Sequence, residues 1–219
     1  MSVEGDLYFR QLAVGPMQNF VYLIGSRRAR EGIVVDPAWD TQGLIDVAGE
    51  DDMRIVGALV SHYHPDHVGG RMGPFRVPGG VAELVGAVGA RIHVQRHEAD
   101  GLIAVTGVSE SDLVRHDTSD RVEIGDVSVE LIHTPGHTPG SQCFLVRERL
   151  VTGDTLFVNG CGRVDLPGGD ATQLRDSLRA LAKLSVEVTV FPGHDYGRSP
   201  TSTMAEQKRD NWAMLDVLE

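Results

Sequence analysis

Residues 61–70 read SHYHPDHVGG and place three imidazoles and a carboxylate, His62, His64, Asp66 and His67, within six positions of a 219-residue chain that holds nine histidines. Four ionisable groups this close repel one another or demand solvation unless a cation compensates them. Imidazole with carboxylate suits a borderline to hard divalent ion such as Zn²⁺ or Fe²⁺, with no thiolate required. His62 and His64, two apart after the apolar run Ile55 to Val60, can face one side and converge on one ion. Pro65 bends the chain there, so Asp66 and His67 can address a neighbouring position, as two ions side by side require. One loop cannot complete such a site, and three more segments offer donors: HTPGHTPGS carries His137, VTGDTLF carries Asp154 and VFPGHDYG carries His194. Each donor follows a predicted strand and a glycine, where a sheet scaffold gathers functional groups from distant parts of a chain. Water held by such ions ionises near neutral pH and attacks a carbonyl carbon, which is the chemistry of a metal-dependent hydrolase.

Other sites are absent. His93, His97, His116 and His133 lack a partner at ligand spacing and read as surface or hydrogen-bonded residues. HEADG at His97 lacks the second histidine of H-E-x-x-H, and there is neither a G-x-S-x-G elbow nor a P-loop lysine.

The elements that must position these donors are short. Apolar or β-branched runs bounded by Gly, Pro or Asp predict strands over Tyr8–Val14, Phe20–Ile24, Gly32–Val35, Ile55–Val60, Ile92–Val94, Val127–Ile132, Gln142–Val146, Leu150–Val151 and Glu187–Phe191. Helical spacing predicts helices over Gln42–Ala48, Val81–Val88, Thr172–Leu184 and Thr201–Leu218. Tight turns at 25–32, 125–126 and 147–149 favour antiparallel meanders with helices outside over strict βαβ alternation. The segment Arg71–Gly80, with two prolines and three glycines, reads as a loop that could cover the site.

The chain is long enough to bury a core without a structural metal, and one domain over 1–219 is expected. Lys plus Arg is 20 against Asp plus Glu 31, a net charge of −11 with no dense basic run, which argues against nucleic acid or an anionic membrane as the main partner. No apolar run approaches a membrane span, and two cysteines, Cys143 and Cys161, are too few for a disulfide framework. With charges where a signal peptide needs an apolar stretch, a cytoplasmic location is expected.

The ordered set H-x-H-x-D-H, a lone histidine, an aspartate in a G-D turn and a last histidine resembles the metallo-β-lactamase superfamily of metallohydrolases, from about Asn19 to Asn211 and including VVDP at 34–37. The resemblance implies an α/β fold, the αββα sandwich: two mixed sheets packed face to face, helices on the outer faces and metals at one edge. It implies two divalent metal ions, zinc first and iron as the alternative. His62, His64 and His137 would hold one, Asp66, His67 and His194 the other, and Asp154 would bridge them, with Asp36 supporting the ligands from behind. Asp66 would also act in catalysis, holding the attacking water and accepting its proton.

Within that superfamily, GDTLFVNGCGRVD, PGHDYG and TSTMAEQKRDN resemble segments of the glyoxalase II (hydroxyacylglutathione hydrolase) and persulfide dioxygenase group. Carried over by position, Arg163 and Tyr196 would bind the glutathione part of a substrate, with Lys208 and Arg209 as weaker candidates. Arg163 could equally make only a structural salt bridge. The larger glyoxalase II enzymes add a C-terminal helical domain with glutathione-binding basic residues. The sequence through Glu219 carries no segment expected to form such a domain, so the resemblance does not specify the thiol carrier.

The function implied is hydrolysis of a small-molecule thioester, of the S-acylglutathione type, and a homodimer is compatible with it. The alternative is a mononuclear iron persulfide dioxygenase, with His62, His137 and Asp154 as a two-histidine, one-carboxylate face. A non-catalytic member would be expected to lack a ligand, and none is missing; the GCGR segment speaks against β-lactams. Cys161 lies in that segment, where it could meet a sulfur substrate or only pack, whereas Cys143 reads as strand core.

Overall fold

A computed structural model of the chain describes residues 6–218. Strands β1 (Leu7–Val14), β2 (Asn19–Ser26) and β3 (Glu31–Val35) form an antiparallel meander. Helix α1 (Thr41–Glu50), capped by the Asp40 carboxylate on Gly43 N, then crosses to β4 (Arg54–Leu59), parallel to β3. After the one-turn α2 (Pro65–Val68) comes a hairpin of β5 (Gly69–Met72) and β6 (Phe75–Gly80). Helix α3 (Val81–Val88) leads to β7 (Arg91–Gln95), and α4 (Ala99–Thr106) to β8 (Leu113–His116), both strands parallel to their neighbours. This completes a mixed sheet of order β1-β2-β3-β4-β7-β8.

The second sheet starts as a meander of β9 (Arg121–Ile124), β10 (Val127–His133), β11 (Gln142–Val146) and β12 (Arg149–Gly153). A short hairpin, β13 (Leu156–Phe157) with β14 (Gly160–Cys161), precedes α5 (Ala171–Leu181), which returns the chain to β15 (Thr189–Pro192), parallel to β12. β16 (Ser202–Thr203), α6 (Met204–Asp210) and α7 (Trp212–Leu218) close the chain, and the sheet order is β16-β15-β12-β11-β10-β9.

Three apolar layers hold these elements together. Phe20, Tyr22, Ile24, Ile33 and Leu59 of the first sheet meet Val129, Leu131, Phe144 and Val151 of the second. Leu44, Leu84 and Leu102 of α1, α3 and α4 cover the first sheet's outer face, while Leu174, Leu178 and Met214 of α5 and α7 cover that of the second. Every residue of β2 is consequently buried, which is why its sequence, NFVYLIGS, runs apolar rather than alternating. The αββα sandwich implied by the motifs is therefore the observed fold. No helix among the described residues is long and apolar enough to cross a membrane.

Three local expectations are corrected. Residues 71–80 belong to the β5–β6 hairpin, turned at Gly73–Pro74, rather than to a loop. Its strands meet where Gly69 and Gly80 (φ +76° and +101°) approach so closely that a Cβ on Gly80 would lie 1.9 Å from Val68 O. The helix expected over 201–218 is broken at Asn211, whose side chain turns away to donate to Phe157 O and Gly160 O and accepts from Ala213 N. The meander reading holds for β1–β3 and β9–β12, but β3, β4, β7 and β8 run parallel through helical crossovers.

Candidate metal centre

The loops leaving β4, β10, β12 and β15 meet at one edge of the sandwich and bring all seven sequence-predicted donors together. His62, His64 and His137 present ring nitrogens within 4.8 Å of one another, and so do the donor atoms of Asp66, His67 and His194. Asp154 lies between the two groups, its carboxylate 3.3 Å from His67 Nε2, 3.4 Å from His194 Nε2 and 3.6 Å from His137 Nε2. All five imidazoles are buried.

What the outer ring nitrogens do decides which nitrogen faces inward. His137 Nδ1 donates to Arg163 O at 2.7 Å and His194 Nδ1 to Met17 O at 2.9 Å; a carbonyl only accepts, so both Nε2 atoms are bare in the neutral rings. His67 Nδ1 faces the Asp36 carboxylate at 3.0 Å, with the same consequence. Ser61 Oγ donates to Asp36 at 2.5 Å and can therefore accept from His62 Nδ1 at 3.0 Å. His137 Nε2 faces His64 Nδ1 at 3.0 Å, and two bare nitrogens are thereby aimed at each other, His67 Nε2 and His194 Nε2 at 3.1 Å. Two lone pairs at that separation repel unless a proton or a metal ion lies between them. His62 Nε2, His64 Nε2 and Asp154 Oδ1 are buried without any hydrogen-bond partner. Orphaned donor atoms converging with carboxylates fit a divalent cation and little else.

Without a metal, protons take the cation's part. Burial works against charge on every group here, and Asp154 opposes a second carboxylate charge beside it, yet His67 and His194 hold Asp66 well below the usual carboxylate range, chiefly through His67. His67 and His194 likewise keep Asp154 ionised, despite its burial. The two carboxylates in turn raise His67 well above the ordinary imidazole value and His194 to about 9. His62 and His64 lack that support and go the other way: burial and neighbouring imidazoles push His62 well down and His64 to about 4.

Four supporting residues carry no signal that spacing could reveal. Asn19, at the start of β2, donates to Asp66 Oδ2 at 3.0 Å and accepts from Trp39 Nε1. Ser61 links Asp36 to His62, and Gln142 donates to Val60 O beside it. Glu98, fully buried at the start of α4, accepts from Tyr63 N, Thr138 Oγ1 and Gly140 N, each at 2.7 Å, and so ties the His62–His64 loop to the His137 loop. Its sequence context, HEADG, shows only the absence of a zinc motif.

A cleft of about 330 Å³ opens on this centre, lined among others by Met17, Phe157, Cys161, Arg163 and Tyr196. The Tyr196 ring stacks on His194 at 4.5 Å and 9°. The Arg163 guanidinium is paired with Asp165 through two bonds of 2.6 Å, while its carbonyl holds His137. Two expected contributors lie elsewhere: Lys208 donates to Leu184 O and Arg209 pairs with Asp210, and neither lines the cleft. Residues 71–80 do not line it either, so the hairpin is no cover for the centre. Cys161 lines the cleft with its thiol pushed up by burial, and Cys143 is core, its thiol pushed up to about 11 for the same reason. His93 stacks on His116 and His97 on His133, outside every group of three candidate ligands among the described residues.

Comparison with known proteins agrees with this geometry. Residues 14–194 match the metallo-beta-lactamase superfamily. The chain belongs to that superfamily. As a metallo-beta-lactamase superfamily protein it is 29% identical over 194 residues to the Bacillus subtilis protein named "Probable polyketide biosynthesis zinc-dependent hydrolase PksB", covering 88% of this chain and 80% of that one. It is 29% identical over 197 residues to the hydroxyacylglutathione hydrolase of Shewanella loihica, covering 90% and 69%. The crystal structure of ETHE1 from Myxococcus xanthus superimposes with a TM-score of 0.79 at 31% identity, covering 94% and 83%. The superfamily binds divalent metals, zinc or iron, and the clusters described above suit such a site.

Proposed function

We propose that the protein is a hydrolase using two divalent metal ions, zinc in the first instance, to cleave a small-molecule thioester of the S-acylglutathione type. One observation carries this reading: bare imidazole nitrogens, their tautomers fixed from outside, converge with Asp66 and Asp154 on two adjacent positions. His62, His64 and His137 would hold one ion, Asp66, His67 and His194 the other, and Asp154 would lie between them. Ions held there supply a nucleophile from water at neutral pH and polarise the substrate carbonyl.

The chain's own residues do the rest. Asp66 lines the cleft, held ionised, and orients the attacking water and takes its proton. Asn19 fixes the Asp66 carboxylate through Oδ2, and Asp36 fixes the His67 ring. Phe157 and Tyr196 wall one side of the cleft and limit water around the reacting carbonyl. In this reading Tyr196, which lines the cleft, meets the thiol arm, and Arg163 joins it on releasing Asp165.

The decisive measurement pairs metal analysis with two assays on the purified protein, S-acylglutathione cleavage and oxygen uptake with glutathione persulfide. Two ions per chain with thioester cleavage are expected, and Asp66→Ala should lose at least about 100-fold in kcat/KM while remaining folded. Full activity in that variant would overturn the two-ion mechanism. The similarity to ETHE1 supports a second reading, a persulfide dioxygenase with one iron on His62, His137 and Asp154. One iron per chain with oxygen uptake would establish it in place of the first.

A further inference from the structure

A second cavity, of about 500 Å³, lies between α5 and α7. It is larger than the metal cleft and within the size range of small-molecule sites. Its wall is apolar, with Leu174 and Leu178 from α5 and Trp212, Ala213 and Val217 from α7. Arg175 and Asp216 pair across its rim at 3.4 Å. The two cavities share Cys161 and Arg163, so the apolar groove continues from where the metal cleft ends. The Trp212 side chain lines it while 61% exposed, an apolar surface without a covering partner in the fold.

A thioester whose carbonyl is at the metals has two arms to place. A glutathione arm carries two carboxylates and an ammonium, which a wall of Leu, Val and Trp cannot solvate, and the two guanidiniums at the rim, Arg163 and Arg175, are already paired with Asp165 and Asp216. An alkyl arm gains from every methylene removed from water. We propose that this groove is the acyl site: the substrate's acyl group is a medium-length or longer apolar chain that lies between α5 and α7, with Cys161 and Arg163 at the junction. The proposal rests on the thioester reading given above.

The test uses the full metal-loaded chain and S-acylglutathiones from acetyl to decanoyl. We expect kcat/KM to rise about fourfold per methylene until the groove is filled. Ala171, exposed at the first position of α5, also lines the groove, so Ala171→Phe fills it from outside the core. In that variant, and in Trp212→Ala, the decanoyl-to-acetyl ratio of kcat/KM should fall at least tenfold. Decanoate titrated against Trp212 fluorescence, with Trp212→Phe as blank, gives a readout free of catalysis. Thioester cleavage that is indifferent to chain length would overturn the acyl site and leave the hydrolase intact. Decanoate binding at Trp212 with no thioester cleaved would overturn the hydrolase and leave an apolar-chain site. A dimer that dissociates on Trp212→Glu would assign the groove to a second copy and overturn the proposal.

Discussion

Replacing Asp36 by Asn tests whether the tautomers at the centre are set from outside it. The carboxylate accepts from three donors: Ser61 N at 2.8 Å, Ser61 Oγ at 2.5 Å and His67 Nδ1 at 3.0 Å. Asn keeps the volume and one oxygen, which retains Ser61 N; its amide nitrogen then faces Ser61 Oγ and His67 Nδ1. The hydroxyl can rotate to accept, but the imidazole must surrender its Nδ1 proton and carry it on Nε2 instead. That proton points at His194 Nε2, 3.1 Å away, and at Asp154, where an ion would be held. Losing this kind of support to a ligand costs about 10- to 100-fold in metal affinity, or about 1.4 to 2.7 kcal/mol. Competition against a fluorescent zinc chelator at fixed pH measures it directly. Ser61→Ala, which removes the hydroxyl and leaves the Asp36–His67 contact, should cost less than Asp36→Asn. An Asp36→Asn protein whose zinc affinity stays within threefold of wild type would refute the tautomer argument.

Three further outcomes are expected. Chelation should lower Tm: an ion bound only by the folded chain at 100 times its Kd adds about 2.7 kcal/mol, roughly 5–11 °C for a chain of this size, and an unmoved melting curve would mean no such ion. A Cβ on Gly193 would lie 2.5 Å from Asp154 Oδ1, so Gly193→Ala should displace that carboxylate and reduce metal content per chain; full loading in elemental analysis would contradict it. Burial, with help from Asp36, lifts Glu98 from an ordinary 4.5 to about 7 against its three hydrogen bonds, so between those values the folded chain keeps a proton that the unfolded chain has lost. This contribution makes stability fall as pH rises from about 4.5 to about 7, by on the order of 3 kcal/mol, and denaturant unfolding of Glu98→Gln should lack that part of the slope; identical slopes would refute it.

The donors were legible because their chemistry is local: crowded imidazoles beside a carboxylate are costly in a chain, so their spacing is informative before any fold is known. The sandwich followed from the same motifs and from apolar runs that did become strands, as at Phe20–Ile24 and Gln142–Val146. Three features depend on contacts distant in sequence and were not legible. The β5–β6 hairpin needs close backbone approach at Gly69 and Gly80, which composition alone presents as a Gly- and Pro-rich loop. The break at Asn211 depends on carbonyls of Phe157 and Gly160, some fifty residues earlier. Glu98 looks like any helix-start acid until Tyr63 N and Gly140 N are placed against it.

These supporting contacts also explain why the centre lies where the sheets meet. Phe20 N donates to Gly193 O and Gln142 N to Ser61 O, so the backbone joins the first sheet to the second beside the ligands. At this joint the fold buries Asp36, Asp66 and Glu98 and most of Asp154, a concentration of carboxyl groups that apolar packing cannot offset. Glu98 and Asp36 meet it with hydrogen-bond donors, and Asp66 and Asp154 meet it with the imidazoles of His67 and His194. Protons on those rings can balance the charge, but they leave His62 Nε2 and His64 Nε2 without partners. Divalent cations would answer both needs together, compensating the carboxylates and engaging the orphaned atoms. Folding and chemistry therefore make the same electrostatic demand of this edge, and a substitution that relieves it with apolar side chains would be expected to keep the sandwich and lose the activity.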